Sequence, residues 1–147
     1  MNKFFKVSLV LGAQLAGSGA HAGPYSDDLS KCLVDTTTRD DRTALVRWMF
    51  TAASAHPAVA SISSATPKEI DEANQVVGKL FMRLLTESCA EAASKAVKYE
   101  GPNAIETGFN TLGQVAGSEL FSSPEVTAAM TGLQKYLDPK KLETIGK

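Results

Sequence analysis

The two cysteines, Cys32 and Cys89, are the residues with the clearest chemistry in this chain of 147 residues. Redox-active thiols usually stand as C-x-x-C, and metal sites need further ligands close by, so this wide spacing favours neither. An exported chain with two cysteines usually pairs them. We therefore predict a structural disulfide between Cys32 and Cys89, and its loop of 58 residues predicts about 4 kcal/mol of stabilisation.

His56 is the one histidine beyond residue 22, so a serine or cysteine protease-like system and most zinc sites would have to include it. It precedes Pro57 with no acidic residue beside it, and the chain has no G-x-S-x-G motif. This context is typical of a surface histidine. We expect no cofactor and no metal.

Carboxylates are the remaining candidates for chemistry. Asp40 and Asp41 lie between Arg39 and Arg42, but neighbours in a helix point apart, so this group favours a charged helix start over a catalytic pair. Four glutamates would bind calcium only if the fold gathered them, and no D-x-D-x-D-G loop is present. These glutamates are Glu87, Glu91, Glu100 and Glu106.

Residues 1–22 have the pattern of a secretory signal peptide: a start with Lys3 and Lys6, an apolar run over 7–16, and small residues at Ala20 and Ala22. We expect cleavage after Ala22 and a periplasmic or secreted protein. The apolar run is shorter than the roughly 20 residues of a membrane span. Ser18 stands where a lipidated cysteine would have to be. No stable membrane anchor is therefore expected after cleavage.

Residues 23–147 are enough for one domain. Without the two leader lysines they carry 13 basic and 16 acidic residues, a formal charge of −3. Lys140 and Lys141 form the one basic pair, and no larger basic cluster occurs. Nucleic-acid binding normally needs a clustered positive surface, so we expect no nucleic-acid partner.

Apolar residues recur at helical spacing throughout this part, without strand-like alternation or a hairpin turn signal. We predict a single-domain all-α bundle of five to six helices, stapled by the Cys32–Cys89 disulfide. Helix-start signals occur at six positions. These are Ser26, Thr38, Thr66, Asn103, Ser123 and Asp138.

Two stretches of the predicted helices carry glycine or other weak points. The repeat from Ile70 to Val97 fits one long helix or two helices that meet at a kink, with Gly78 and the stretch 86–88 as the candidate positions. Gly113 and Gly117 lie within the next helix. Since glycine inside a helix costs about 1 kcal/mol, we expect a close helix crossing there.

Leu45, Trp48, Met49 and Ala52 form one apolar helix face, which is typical of a helix buried among others. The following loop, residues 55–65, is longer than most connections in helical bundles. We consider it a candidate partner-binding loop, with His56, Val59 and Ile62 as its contact residues. The alternative is a connector that packs Val59 and Ile62 on the core.

A small, exported helical chain with two cysteines is similar in size, address and architecture to periplasmic acid-stress chaperones and to some immunity proteins. We expect a non-enzymatic exported protein that binds another exported protein, either inhibitor- or immunity-like or chaperone-like. One alternative is a carrier of a small apolar ligand; another is a cell-wall hydrolase that uses carboxylates. The carrier's cavity would be lined by Phe81, Leu84, Phe109, Leu112 and Met130.

Overall fold

The computed structural model describes residues 23–145, and the predicted leader lies outside them. All regular structure in this range is helical, as predicted. Six helices have at least eight residues, and two one-turn helices raise the count in this range to eight. The helices are α1 Pro24–Thr36, α2 Arg39–Ala53, α3 Pro57–Ala60, α4 Pro67–Arg83, α5 Ala90–Glu100, α6 Asn103–Phe121, α7 Pro124–Thr131 and α8 Pro139–Leu142.

Capping boxes begin α2 and α4, as the sequence predicts. The Thr38 amide donates to Asp41 Oδ2 at 2.9 Å, and the Asp41 amide donates to Thr38 Oγ1 at 3.1 Å. Thr66 and Glu69 exchange the same pair of bonds at the start of α4. Each box provides acceptors for amides that have no partner within the helix.

The predicted start of α1 at a Ser26 cap is wrong. The helix begins at Pro24, Gly23 occupies the cap position, and no side chain of the local sequence caps it. Ser26 is buried inside the first turn and donates its hydroxyl to the Glu100 carboxylate. Pro24 begins the helix without loss because its missing N–H would have no intrahelical partner.

The core lies where α1 packs against α5 and α6, and α2 packs against α4 and α6 beside it. Four leucines are its largest fully buried side chains. Burial of a leucine side chain contributes about 1.5–3 kcal/mol, so this cluster is a main source of stability. These residues are Leu29, Leu33, Leu84 and Leu112.

The close helix crossing lies at Gly108, so the prediction of Gly113 and Gly117 is wrong. A Cβ placed on Gly108 would stand 2.9 Å from Leu33 Cδ1 and 3.3 Å from Leu29 Cγ. At Gly113 or Gly117, apart from the adjacent residues and the local backbone of α6, no atom of the described residues lies within 4 Å of such a Cβ. Spacing along α6 alone could not select among these glycines, because the crossing point depends on where α1 packs.

Of the two alternatives for the repeat from Ile70 to Val97, the structure has two helices, and the break lies at the second candidate position. Gly78 lies within continuous α4, whereas Leu84–Ser88 forms a π-helical turn that ends at Cys89. The Cys89 amide donates to the Leu84 carbonyl at 2.8 Å, and Cys89 itself has a non-helical backbone, with φ −122° and ψ 24°. Short π-helical turns often mark functional positions, and this one carries a disulfide-bonded cysteine.

Candidate interaction surface

The Cys32–Cys89 disulfide is confirmed, with a Cα–Cα distance of 5.9 Å. It joins the third turn of α1 to the residue before α5. Cys89 is buried and Cys32 partly buried, so the bond lies at the edge of the core. Since both cysteines of the chain are used, the arrangement leaves no thiol for redox or nucleophilic chemistry.

A surface hollow of about 550 Å³ lies beside the disulfide. Asp28, Glu87 and Glu91 line it together with Lys95. Lys95 Nζ lies 2.6 Å from Glu91 Oε1, so one of the acidic groups already has a cation. Within residues 23–145 no group of three side chains is arranged to hold a metal ion.

The four predicted glutamates do not form one site. Glu87 and Glu91 line the hollow, Glu100 binds the start of α1, and Glu106 lies in the first turn of α6. Asp40 and Asp41 at the start of α2 also do not act as a pair, in line with the charged helix start that the sequence favours. Asp41 accepts from Arg83 Nη2 at 2.9 Å and completes the capping box, whereas Asp40 is exposed.

The carboxyl groups with shifted pKa values all shift in one direction. Hydrogen bonds from Ser26, Thr66 and Lys95 lower the pKa values of Glu100, Glu69 and Glu91, respectively. For Asp41, partial burial raises the pKa, but the Thr38 amide and Arg83 outweigh it and the net shift is downward. A general acid for sugar hydrolysis needs a raised pKa. None of these four groups favours the cell-wall hydrolase alternative.

The predicted partner-binding loop contains the one-turn helix α3. His56 caps it, because its Nδ1 accepts from the Ala58 amide at 3.1 Å. Val59 is half-buried, and Ile62 is 83% exposed. Ile62 therefore does not pack on the core, and of the three candidate contact residues it offers the largest apolar surface.

An apolar groove of about 500 Å³ runs between α2, α4 and α6. The prediction that the α2 face is buried is wrong for most of it: Leu45 is buried, Trp48 and Met49 are half-buried, and Ala52 is exposed. The wide apolar face of α2 suggests a helix surrounded by others, but α2 packs mainly against α4 and α6. All residues that line the groove are uncharged. They are Leu45, Trp48, Met49, Phe81, Phe109, Asn110, Gly113 and Gln114.

Aromatic contacts give this groove a defined wall. Phe81 and Phe109 stack with ring centroids 3.9 Å apart, and Trp48 meets Phe81 edge to face at 6.2 Å. The Trp48 indole donates to Asn74 Oδ1 at 2.8 Å, which fixes the ring orientation. The groove is therefore pre-formed, with apolar walls and few polar groups, as small-molecule sites usually are.

The residues of the predicted carrier cavity are not brought together. Phe81 and Phe109 line the groove, but Leu84 and Leu112 are fully buried in the core. Met130 lies outside the groove, on α7, and is 59% exposed. Helical periodicity identifies which positions of a helix are apolar. It does not show which other helix each apolar side chain contacts.

The last part of the described chain, Pro124–Ile145, forms what we call the C-terminal arm. It contains α7, the 3₁₀ helix Gly132–Tyr136 and α8, and it packs on the bundle mainly where α7 meets the end of α6. The large apolar side chains of the arm are mostly solvent-exposed. Exposed fractions reach 64% for Leu133 and 85% for Tyr136.

Sequence reasoning missed this exposed arm, since it counted α7 as an ordinary member of the bundle. The available signal was length. α7 has only eight residues, and just two of them, Val126 and Met130, have large apolar side chains. So short a helix cannot present a continuous apolar face to a core.

No family model, curated protein or solved structure matches this chain. No activity or binding partner is therefore transferred to it from a relative. No helix within residues 23–145 is long and apolar enough to cross a membrane.

Proposed function

We propose that this chain is an exported, non-enzymatic protein that binds another exported protein through its C-terminal arm. The observation that carries the proposal is the set of exposed apolar side chains on the arm. The disulfide supports export, because such bonds persist mainly outside the reducing cytosol. The compartment would be the periplasm or the extracellular space, as the leader pattern predicts.

The arm has features of a segment that docks on a partner. Met130, Leu133 and Leu137 are spaced at intervals of three and four residues and are all exposed. Groups of exposed apolar side chains often mark interaction sites on soluble proteins. From Val126 to Gln134 the arm carries no charge, and Lys135, Lys140 and Lys141 follow. A partner that offers an apolar groove with acidic residues at one end would complement this pattern.

The partner would distinguish the two subclasses of this function. An inhibitor or immunity protein binds one folded partner at a fixed stoichiometry, because specificity requires complementary shape and charge. A chaperone-like protein binds many unfolded chains through the same apolar side chains. Size-exclusion profiles of the complexes separate the two, since one partner gives a single defined species.

Methionines at two places in the chain allow a matched experiment. Met130 on the arm is 59% exposed and Met82 on α4 is 61% exposed, so serine at either site removes a similar apolar surface. Mature protein with an affinity tag would be incubated with periplasmic extract, and bound proteins would be identified by mass spectrometry. We expect Met130→Ser combined with Leu133→Ser to abolish capture of a stoichiometric partner, and Met82→Ser to leave it intact.

A chain that ends at Ser123 provides the decisive control. If this shortened protein still captures the same partner in the same amount, the arm is not the binding surface. Absence of any arm-dependent partner over several growth conditions would likewise contradict the proposal.

The apolar groove favours one second candidate, a carrier of a small apolar ligand. Its volume of about 500 Å³ falls within the range of ligand pockets, roughly 300–1,000 Å³. Trp48 is the only tryptophan of the chain and lines the groove, so ligand binding should change the fluorescence of the protein. Native mass spectrometry of fresh protein and a Trp48 fluorescence titration with dodecanoate test this. A bare mass together with unchanged fluorescence would exclude it.

A further inference from the structure

The carboxylate of Glu100 closes the N-terminal end of α1 from a distant part of the sequence. It accepts the amides of Tyr25 and Ser26, both at 2.8 Å, and the Ser26 hydroxyl. Glu100 is the last residue of α5, and Gly101, with φ 89°, turns the chain directly after it. Three hydrogen bonds from Tyr25 and Ser26 therefore hold this carboxylate in place at the end of a helix.

Gly23 lies directly against this carboxylate. A Cβ added to Gly23 would overlap the carboxylate and stand 2.8 Å from its Oε2 atom. With ordinary bond lengths, the Gly23 nitrogen therefore lies within about 6 Å of that oxygen. Any larger residue at position 23 would displace the carboxylate from its bonds to α1.

We propose that the structure is built for a free amino terminus at Gly23, whose ammonium group pairs with the Glu100 carboxylate. The group arises when a signal peptidase hydrolyses the Ala22–Gly23 peptide bond. Water adds its hydroxyl to the Ala22 carbonyl carbon, and the Gly23 nitrogen leaves and takes up protons. Removal of the leader thereby creates an ion pair that an unprocessed chain lacks. This inference does not depend on what the protein binds.

The Gly23 ammonium group would carry a positive charge at the start of α1. The start of a helix carries a partial positive charge, so an ammonium group there is ordinarily unfavourable. Acetylation of an amino terminus removes that charge and ordinarily stabilises the helix. At Gly23 we expect the opposite effect: acetylation should destabilise the protein, because it removes the cation that pairs with the Glu100 carboxylate.

Other charged groups also lie at this end of the bundle. Asp27 and Asp28 lie about one turn into α1, Glu106 lies in the first turn of α6, and Lys95 and Lys98 lie on α5. Lys95 pairs with Glu91, and Lys98 lies over the Tyr99 ring, 5.0 Å from its centroid. The rings of Tyr25 and Tyr99 stack beside them, with centroids 4.7 Å apart. Glu100 is the acidic group in contact with residue 23.

The pH dependence follows from both members of the pair. Hydrogen bonds from Ser26 and Tyr25 lower the pKa of Glu100, so its contribution is present above its ordinary pKa and is lost as the pH falls. The ammonium contribution is present below the usual α-amino pKa of about 8 and is lost as the pH rises beyond the value in the pair. The stabilisation should therefore be greatest between about pH 5 and pH 8.

The experiment compares the chain that begins with a free Gly23 amino group and the same chain with an N-terminal acetyl group. Both are made with wild-type sequence and with Glu100→Gln, and Glu87→Gln serves as the exposed control. At about pH 6.5 we expect acetylation to lower the melting temperature by about 2 °C in the wild-type and control backgrounds. At about pH 10, where the ammonium is neutral, we expect no loss.

Several results would overturn the proposal. An acetylated wild-type chain that melts at the same or a higher temperature at neutral pH would contradict the ion pair. So would an equal loss on acetylation in the Glu100→Gln background. If that variant is too unstable to measure, the two wild-type chains at the two pH values carry the test alone. Mass spectrometry of the exported protein must also give Gly23 as its first residue, and any other terminus refutes the assignment.

Discussion

Two parts of the described chain, the bundle of residues 23–121 and the C-terminal arm, are both helical but are stabilised to different degrees. Residues 23–121 hold the buried leucines, the disulfide, both capping boxes and the long-range ion pairs. The C-terminal arm has local caps at Ser123 and Asp138 and little else. Caps stabilise a helix start, but only packing of an apolar face fixes a short helix in a protein. The bundle therefore has a buried core, whereas most large apolar side chains of the arm are exposed.

Charge separates the same two regions. Residues 23–121 contain nine basic and 13 acidic residues, whereas residues 122–147 contain four basic and three acidic ones. Ion pairs tie the bundle together: Arg83 joins Asp41 at 2.9 Å, and Arg42 joins Glu119 at 2.7 Å. Both pairs connect α2 to another helix, so they orient the helix with the fewest buried residues among the longer ones of the bundle.

Loss of the disulfide should have the largest effect on the stability of the bundle, because the bond closes a long loop in the unfolded chain. Cys32→Ser, Cys89→Ser and the double variant should each lower the free energy of unfolding by about 4 kcal/mol. Denaturant titration of all three measures this, and the double variant should be no worse than either single one. An unfolding midpoint that is unchanged under reducing conditions would show that the bond contributes little.

Two glycines of α6 should respond to alanine with opposite signs. Gly108→Ala places a Cβ against Leu33 and Leu29, which should cost about 1–2 kcal/mol net of the gain in helix propensity. Gly117→Ala enters open space and should stabilise by up to about 1 kcal/mol. Melting temperatures of both variants check the contrast. Equal effects would mean that α1 does not cross α6 at Gly108.

Replacement of Asp41 should have a smaller effect than loss of the disulfide, and only above acidic pH. Burial raises the pKa of Asp41, but the hydrogen bonds from the Thr38 amide and Arg83 lower it by more. The stabilisation by the Asp41 carboxylate is therefore present near neutral pH and is lost as the pH falls through its folded-state pKa. Asp41→Asn should cost about 1 kcal/mol at neutral pH. Urea titrations near pH 7 and near pH 3 should show a smaller deficit at the lower value. The exposed neighbour Asp40→Asn should show little at either pH.

Deletion of the arm should have the smallest effect on stability. A chain that ends at Ser123 should melt within about 2 °C of the full chain, because the arm buries little surface against the bundle. Calorimetry of both proteins is the measurement. A large fall in melting temperature would mean that the arm packs on the bundle and is not free for a partner.

The sequence predicted the features that depend on local chemistry. Capping boxes at Thr38 and Thr66 and the disulfide are present, and the break before Cys89 lies at one of the two positions considered for a kink. Features that depend on which elements meet were less predictable. The start of α1 depends on Glu100, far away in sequence, and the close crossing selects Gly108 among several glycines of α6.

The candidate site was the least predictable part. The loop with His56 and Ile62 was singled out by its length, and it remains a candidate surface. The groove and the arm exist because α2 and α7, which the sequence predicts to be parts of the bundle, have too few neighbouring helices to cover their apolar side chains. Periodicity shows that a residue needs a partner, but not whether the same chain supplies it.

Amide hydrogen exchange of the intact mature protein tests the contrast between bundle and arm most directly. Exchange requires local opening, so its rate reports the stability of each segment. We expect peptides from α1, α5 and the first half of α6 to exchange slowly, and peptides from residues 124–145 to exchange nearly as fast as an unfolded chain. Arm peptides as strongly protected as those of α6, in protein without a partner, would contradict this division.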